Sequence, residues 1–208
     1  MQLLRTVMRT RRFHTDAEVI LLFKSHILSY VESRTSGIFH ASDSVLRPLD
    51  RVLERLLNAL GISALDALHH FRLAPLRTRR DIAILGVIHR AVLRQGPVEL
   101  QEFFQVSLAG PRRENLRSSE RRHCRTVSTL CDGLFQGYCQ RSALAMPLVY
   151  NLLPESIVLA PSVKSFQSSL QKLLFSHAQS LLEDWSSLFS VRLAMNQHPL
   201  LSAPCIRF

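Results

Sequence analysis

The chain has 208 residues and a formal net charge of +10, from 26 Lys and Arg against 16 Asp and Glu. Hydrophobic residues make up 47% and charged residues 20%, a balance that predicts a packed core and excludes a disordered chain. Because Lys24, Lys164 and Lys172 are its only lysines, arginine carries the excess charge; this favours a phosphate-bearing partner such as nucleic acid, and the alternative is an arginine content with no binding role.

The first fifteen residues predict a helix with one basic face and no acidic residue. The two faces are formed by Arg5, Arg9 and Arg12, and by Leu3, Leu4, Val7 and Met8. This pattern is typical of a mitochondrial transit peptide. The apolar runs are too short for a membrane span or a secretory signal, so we expect an intracellular protein with reduced cysteines and no membrane partner. A nuclear or cytoplasmic location is favoured, and a mitochondrial one is the alternative.

Thr15 and Glu18 form a capping box that begins the next predicted helix. Apolar residues at helical spacing carry this helix to about residue 32. Residues 45–60 then repeat leucine and valine every three or four positions, which predicts an amphipathic helix that ends at Gly61. A short helix follows.

Residues 73–93 combine a basic entrance with an unusually apolar helix. Pro75 predicts a turn, and Thr78 with Asp81 resembles a second capping box. Residues 82–93 are apolar on nearly every side, which indicates a buried helix. Since unpaired cations are too costly to bury, we expect the entrance arginines to lie exposed at a rim. These arginines are Arg77, Arg79 and Arg80.

Residues 106–141 are predicted to be an exposed basic linker, because arginine is frequent there and apolar residues show little helical spacing. Several phosphate contacts could arise from it, but no aromatic residues are interleaved for base stacking. A solvated linker without a ligand is an equal alternative. The candidate nucleic-acid-binding residues of the whole chain are Arg77, Arg79, Arg80, Arg112, Arg113, Arg117, Arg121, Arg122 and Arg125.

Helical patterns return after the linker. Residues 144–159 are apolar, with a weak strand pattern near residues 157–159. Ser162 caps a predicted helix, and residues 181–189 predict a last amphipathic one. The sequence therefore predicts an all-α protein. Its predicted parts are a helical bundle over residues 1–105, the basic linker over 106–141, and a smaller helical module over 142–208 with a disordered tail.

The sequence shows no motif of a catalytic centre. Two groups have metal-binding chemistry without the usual spacing: His69 with His70, and His123 with Cys124, Cys131 and Cys139. The adjacent acids Glu183 and Asp184 predict an exposed helix face, and no carboxylate cluster could hold two Mg²⁺ ions. We expect no catalysis, metal, cofactor or small-molecule substrate, and we assign no role to the cysteines.

Four short motifs follow one another along the chain. They are Tyr30 with Glu32, the leucine-rich residues 49–57, the Leu-x-x-Arg-Arg pattern of residues 76–80, and residues 150–154 followed by Phe166 and Leu170. In this order they resemble the region after the polymerase core in reverse transcriptases of LINE-type, non-LTR retrotransposons. Leu53 stands where that family usually has Gln, and Tyr150 where it has Trp. The resemblance spans about residues 3–190.

The resemblance implies a truncated reading frame that covers the thumb and post-thumb region. The F/Y-x-D-D turn and the second metal-binding Asp of the polymerase core are not in this sequence, nor is the endonuclease. It implies a non-catalytic fragment of an RNA-directed DNA polymerase, which helps the intact parent to hold the template–primer backbone. Alone, such a fragment should bind RNA or DNA weakly and without sequence preference. The alternative is a free-standing helical protein-interaction module that binds no nucleic acid.

Overall fold

The structure, a computed structural model, describes residues 2–106, 123–129, 139, 142–180 and 185–202. These residues form helices and their connections, with one isolated bridge between Val106 and Val127, and no strand occurs among them. The predicted all-α class is confirmed. Most of the predicted linker, and the predicted disordered tail from residue 203 onward, lie outside the described residues.

The described helices are α1 (Gln2–Thr10), α2 (Asp16–Leu22), α3 (Ser29–Glu32), α4 (Thr35–Ile38), α5 (Asp43–Leu60), α6 (Ala64–Phe71), α7 (Leu76–Val92), α8 (Val98–Phe103), α9 (Met146–Tyr150), α10 (Glu155–Val158), α11 (Val163–Gln179) and α12 (Pro199–Ser202). A π-helical stretch, Phe23–Leu28, joins α2 to α3, so the helix predicted to run to about residue 32 is continuous. Short 3₁₀ turns cover Arg11–Phe13, Ala143–Ala145, Trp185–Ser187 and Met195–Gln197.

The chain divides into two compact units, Met1–Arg80 and Asp81–Phe208. The boundary lies inside α7, so the basic entrance of this helix belongs to the first unit and its apolar part to the second. The division predicted at residues 105 and 141 stays a prediction.

Local signals fix most helix ends in the first unit. The Thr15 side chain accepts a hydrogen bond from the Glu18 backbone, and the Glu18 carboxylate accepts one from the Thr15 backbone, as the capping box predicts. The α5 helix ends at Gly61, whose φ of 71° suits a residue without a side chain. The second predicted capping box is wrong. Because α7 already begins at Leu76, Thr78 lies inside its first turn and is fully buried.

Apolar faces of four helical segments form the core of the first unit. Each face follows the three- to four-residue spacing that the sequence shows. The buried residues are Leu4 and Val7 of α1; Val19, Ile20, Phe23, Ile27 and Leu28 of the α2–α3 run; Leu53, Leu56, Leu57 and Leu60 of α5; and Ala67, Leu73 and Leu76 from α6 onward.

In the second unit, the apolar part of α7 is buried as its composition predicts, with Leu85 and Ile88 fully inaccessible. Residues 157–159, which carry a weak strand pattern, belong to the end of α10 and its cap, so a strand there is wrong. Of the last predicted helix, residues 181–184 lie outside the described residues, and Trp185–Ser187 form a 3₁₀ turn.

One piece of the predicted linker is packed into the second unit. His123 and Val127 are 3% and 1% exposed. The Asn151 side chain accepts a hydrogen bond from the Val127 backbone and donates one to it, each 2.9 Å long. The expectation of an exposed linker is therefore wrong for His123 and Val127, because the backbone of Val127 is bound to the turn after α9, whereas Cys124 and Ser128 are exposed.

A buried hydrogen-bond network centres on His89 of α7. The carbonyl of Ala160 can only accept, so His89 Nε2 donates to it at 3.0 Å, and His89 Nδ1 accepts from the Tyr150 hydroxyl at 2.9 Å. The His89 ring also stacks on Phe166, with 4.1 Å between ring centroids. His123 Nε2 donates to the Tyr150 carbonyl at 3.1 Å. With Nε2 donating in both rings and Nδ1 of His89 accepting, each imidazole makes these contacts in its neutral form.

Burial lowers the pKa of three histidines in the second unit: His89, His123 and His177. The Arg125 guanidinium also lowers the pKa of His89 and His123, while backbone hydrogen bonds, and Glu155 beside His123, act in the opposite direction. The Nδ1 atoms of His123 and His177 are buried without a hydrogen-bond partner in the described structure. Protonating either ring would therefore place a charge on a buried side chain and a second N–H without an acceptor.

We predict that the free energy of unfolding falls as the pH drops below about 6.5, the pKa of histidine in an unfolded chain. Between this value and the lower pKa of the folded state, the unfolded chain binds protons that the folded chain excludes; above it the contribution is constant. Urea unfolding as a function of pH measures the slope. His177→Leu should flatten it by up to about 1.4 kcal/mol per pH unit, whereas His26→Gln, at an exposed position, should not. Parallel curves for wild type and His177→Leu would contradict this prediction.

Candidate nucleic-acid interface

The three predicted arginines at the start of α7 are not an exposed rim. Arg80 is 4% exposed, and its two terminal nitrogens donate to the two carboxylate oxygens of Asp50 on α5, at 2.7 and 2.9 Å. Arg79 is half-buried and donates from Nε to Glu32 at the end of α3. Arg77 is half-buried and also takes part in an interaction within the chain. The expectation of exposure is therefore wrong for Arg80 and holds only partly for the other two.

The expectation of exposure assumes that a buried arginine has no carboxylate partner, and this assumption is wrong for Arg80. A buried guanidinium is costly without a partner, but a carboxylate in two-pronged contact satisfies its charge and its donors. Asp50 and Glu32 lie 30 and 47 positions before their arginines in the chain. Such distant partners leave no local signal near residues 76–80.

The predicted linker arginines are mostly outside the described residues, namely Arg112, Arg113, Arg117, Arg121 and Arg122. Arg125 is described and half-buried, and it donates to the Val158 carbonyl at 2.9 Å. This contact anchors the segment after His123 to the end of α10. The four described candidates, Arg77, Arg79, Arg80 and Arg125, are thus half-buried or buried, and none is an exposed side chain.

The basic face of α1, formed by Arg5 and Arg9 together with Arg12 of the 3₁₀ turn that follows, is the described surface that best fits a phosphate backbone. All three side chains are exposed, and Leu4 and Val7 on the other face are buried in the core. Arg12 lies over the Phe13 ring, 4.7 Å from its centroid. Among the described residues, no carboxylate lies within ion-pairing distance of these three arginines.

The sequence contains the signal for this surface, a stretch of fifteen residues without an acid. The pattern also fits a transit peptide, which is why these arginines are not among the predicted binding residues. In the structure this helix packs against the core of the first unit, where Leu4 and Val7 are 8% and 9% exposed. Leu3, predicted on the apolar face, is 56% exposed.

Helix α5 carries a second row of exposed arginines, Arg47, Arg51 and Arg55, spaced one turn apart on the face opposite the core. Acidic residues are interleaved with this row, as in Glu54. A face with alternating charge attracts a polyanion less than one of a single sign. This row is therefore a weaker candidate than the basic face of α1.

No group of three or more His, Cys, Asp or Glu side chains in the described part of the chain is arranged to hold a metal ion. Cys124 is exposed and Cys139 half-buried, and neither forms a disulfide. Across the described helices, none has both the length and the apolar character needed to cross a membrane. Comparison with protein-family models, curated proteins and solved structures found no match.

We predict that Asp50→Asn destabilises the protein by about 3 kcal/mol, because the substitution leaves the Arg80 guanidinium buried without its counter-charge. Chemical denaturation measures the change. Glu54→Gln, an exposed acid on the same helix, should cost less than about 0.5 kcal/mol. The double variant Asp50→Leu with Arg80→Met should recover most of the loss, because it removes both charges. An Asp50→Asn protein as stable as wild type would contradict the buried pair.

Proposed function

We propose that the chain is a segment of a LINE-type reverse transcriptase from the region after the polymerase core. Within this segment, the basic face of α1 binds the phosphate backbone of RNA or DNA. The segment positions the nucleic acid and does not catalyse polymerisation. Phosphate contacts of this kind fix the register of a strand without reading its bases.

Contacts between the sequence motifs support the proposed parentage. Glu32 of the first motif pairs with Arg79 of the third, and Asp50 of the second pairs with Arg80. In the fourth motif, the rings of Tyr150 and Phe166 lie 5.9 Å apart on either side of the His89 network. The charged residues of the first three motifs are thus packed against one another within the first unit.

The basic face of α1 is the observation that carries the proposed binding. Three exposed arginines without carboxylate partners give this helix an uncompensated positive surface. Guanidinium groups bind phosphate in a two-pronged geometry, and their binding releases counterions from the nucleic acid. Arg11, by contrast, donates to the Ala59 carbonyl and lies 3.8 Å from Asp16, so it helps to hold α1 in place.

A protein-interaction module is the second candidate, and exposed apolar side chains of the first unit favour it. Phe13 is 71% exposed, Leu21 65% and Val45 61%. Side chains of this size and exposure are common at contacts with another protein when they form a patch. The two functions differ in their dependence on salt, because counterion release belongs to the nucleic-acid complex.

We predict that Arg5→Gln with Arg9→Gln weakens RNA binding and lowers the slope of log affinity against log salt by about one to two, since each lost phosphate contact removes 0.7 to 0.9. Fluorescence anisotropy with a labelled oligonucleotide at several salt concentrations measures both effects. Glutamine has nearly the helix propensity of arginine, so α1 should stay folded.

Arg47→Gln with Arg51→Gln is the matched control, because it removes the same charge at the same spacing from α5. This control should leave the slope closer to that of wild type. Equal losses for the two pairs would assign the effect to net charge alone, and no binding by wild type at any salt would favour the interaction module. A wild-type chain that extends a primer with Mg²⁺ and nucleotides would refute the non-catalytic assignment.

A further inference from the structure

Lys24 lies in the π-helical stretch Phe23–Leu28, and its side chain crosses to the end of another helix. Its Nζ donates to the carbonyl of Phe71, the last residue of α6. The side chain is half-buried. Turns of π-helix are rare and occur frequently at functional sites. This one places an ammonium group beside the residue that follows Phe71, which is Arg72.

Arg72 ends α6 in a left-handed conformation, with φ 50° and ψ 40°. This conformation costs a residue with a side chain about 1 kcal/mol or more, and glycine is the usual choice at such a position. The chain does use glycine at the equivalent end of α5, where Gly61 has φ 71°. At the end of α6 the chain instead holds an exposed cation, as it also does at Arg94 after α7, so the site is distinguished by the cations near Arg72 and not by this conformation alone.

A third cation, Arg79, is close enough to Lys24 for its charge to affect the ammonium group. Burial is the largest cause that lowers the pKa of Lys24, and the charges of Arg79 and then Arg72 lower it further. Glu32, which pairs with Arg79, is the carboxylate that the described structure pairs with this group. Three cations against one carboxylate leave a net charge of +2. The C-terminal end of a helix supplies only about half a negative charge, so α6 does not balance it.

We propose that Lys24, Arg72 and Arg79, the α6 cation cluster, bind a phosphate group. Lys24 has three donors and uses one on Phe71, while Arg79 uses Nε on Glu32, so further donors remain on both side chains. A phosphate bound there would relieve the repulsion between the cations. The site consists of residues other than those of the basic face of α1, and its ligand is either inorganic phosphate or the terminal phosphate of a nucleic acid.

Thermal unfolding in phosphate and in chloride, at matched ionic strength and pH, tests the site. We expect phosphate to raise the Tm of wild type in a saturable manner, and Arg72→Gly to weaken the apparent affinity by about tenfold. Lys24→Met should have a similar effect. Arg72→Gly is the stronger test, because glycine suits the left-handed backbone and the variant should be at least as stable as wild type in chloride.

Arg94→Gly is the matched control, because Arg94 is also exposed and left-handed, with φ 56°, and does not belong to the cluster. It should keep the full response to phosphate. Equal responses in wild type, Arg72→Gly and Lys24→Met would assign the stabilisation to exclusion of phosphate from the protein surface and would overturn the site. No response in wild type would overturn it as well.

Oligonucleotides with a 5′-phosphate and with a 5′-hydroxyl then identify the source of the phosphate. A preference for the 5′-phosphate that disappears in Arg72→Gly supports a nucleic-acid end as ligand. Equal binding of both oligonucleotides, with the inorganic phosphate response intact, supports free phosphate. The Arg5→Gln with Arg9→Gln protein should keep the response to inorganic phosphate, so the failure of one proposal is distinguishable from failure of the other.

Discussion

The pairing of Arg80 with Asp50 buries an arginine guanidinium within the first unit. A guanidinium that is 4% exposed has to be neutralised, and both of its donor pairs meet carboxylate oxygens within 2.9 Å. The pair fixes the start of α7 against the middle of α5. The neighbouring Arg79 fixes the same turn against Glu32 at the end of α3. Two adjacent arginines thereby define how three helices meet.

These ion pairs also determine where positive charge reaches solvent. Arg79 and Arg80 of α7 are neutralised inside the unit, together with the carboxylates that hold them. Helix α1 has no acidic residue, so Arg5 and Arg9 keep their charge at the surface. The position of the carboxylates, rather than the number of arginines, therefore decides which surface attracts a polyanion. The same principle distinguishes the basic face of α1 from the arginine row of α5.

The helices of this chain could be predicted because burial follows the apolar spacing, and because Thr15 and Gly61 mark their ends through local backbone chemistry. The site could not be predicted in the same way. The stretch without acidic residues around Arg5 is a local signal for its exposed charge, but no neighbour in sequence reveals that Arg80 has a distant carboxylate partner. The cation cluster at the end of α6 is equally hidden, because the contact between Lys24 and Phe71 joins residues 47 positions apart.

The residues on which the proposed parentage rests make internal contacts in this chain. The Tyr150 hydroxyl donates a hydrogen bond to His89 Nδ1. Asn151 beside it holds Val127 by two backbone hydrogen bonds. The residues proposed to bind phosphate mostly lie outside these motifs, at exposed positions such as Arg5 and Arg9 of α1 and Arg72 at the end of α6, while Arg79 belongs both to a motif and to the α6 cation cluster.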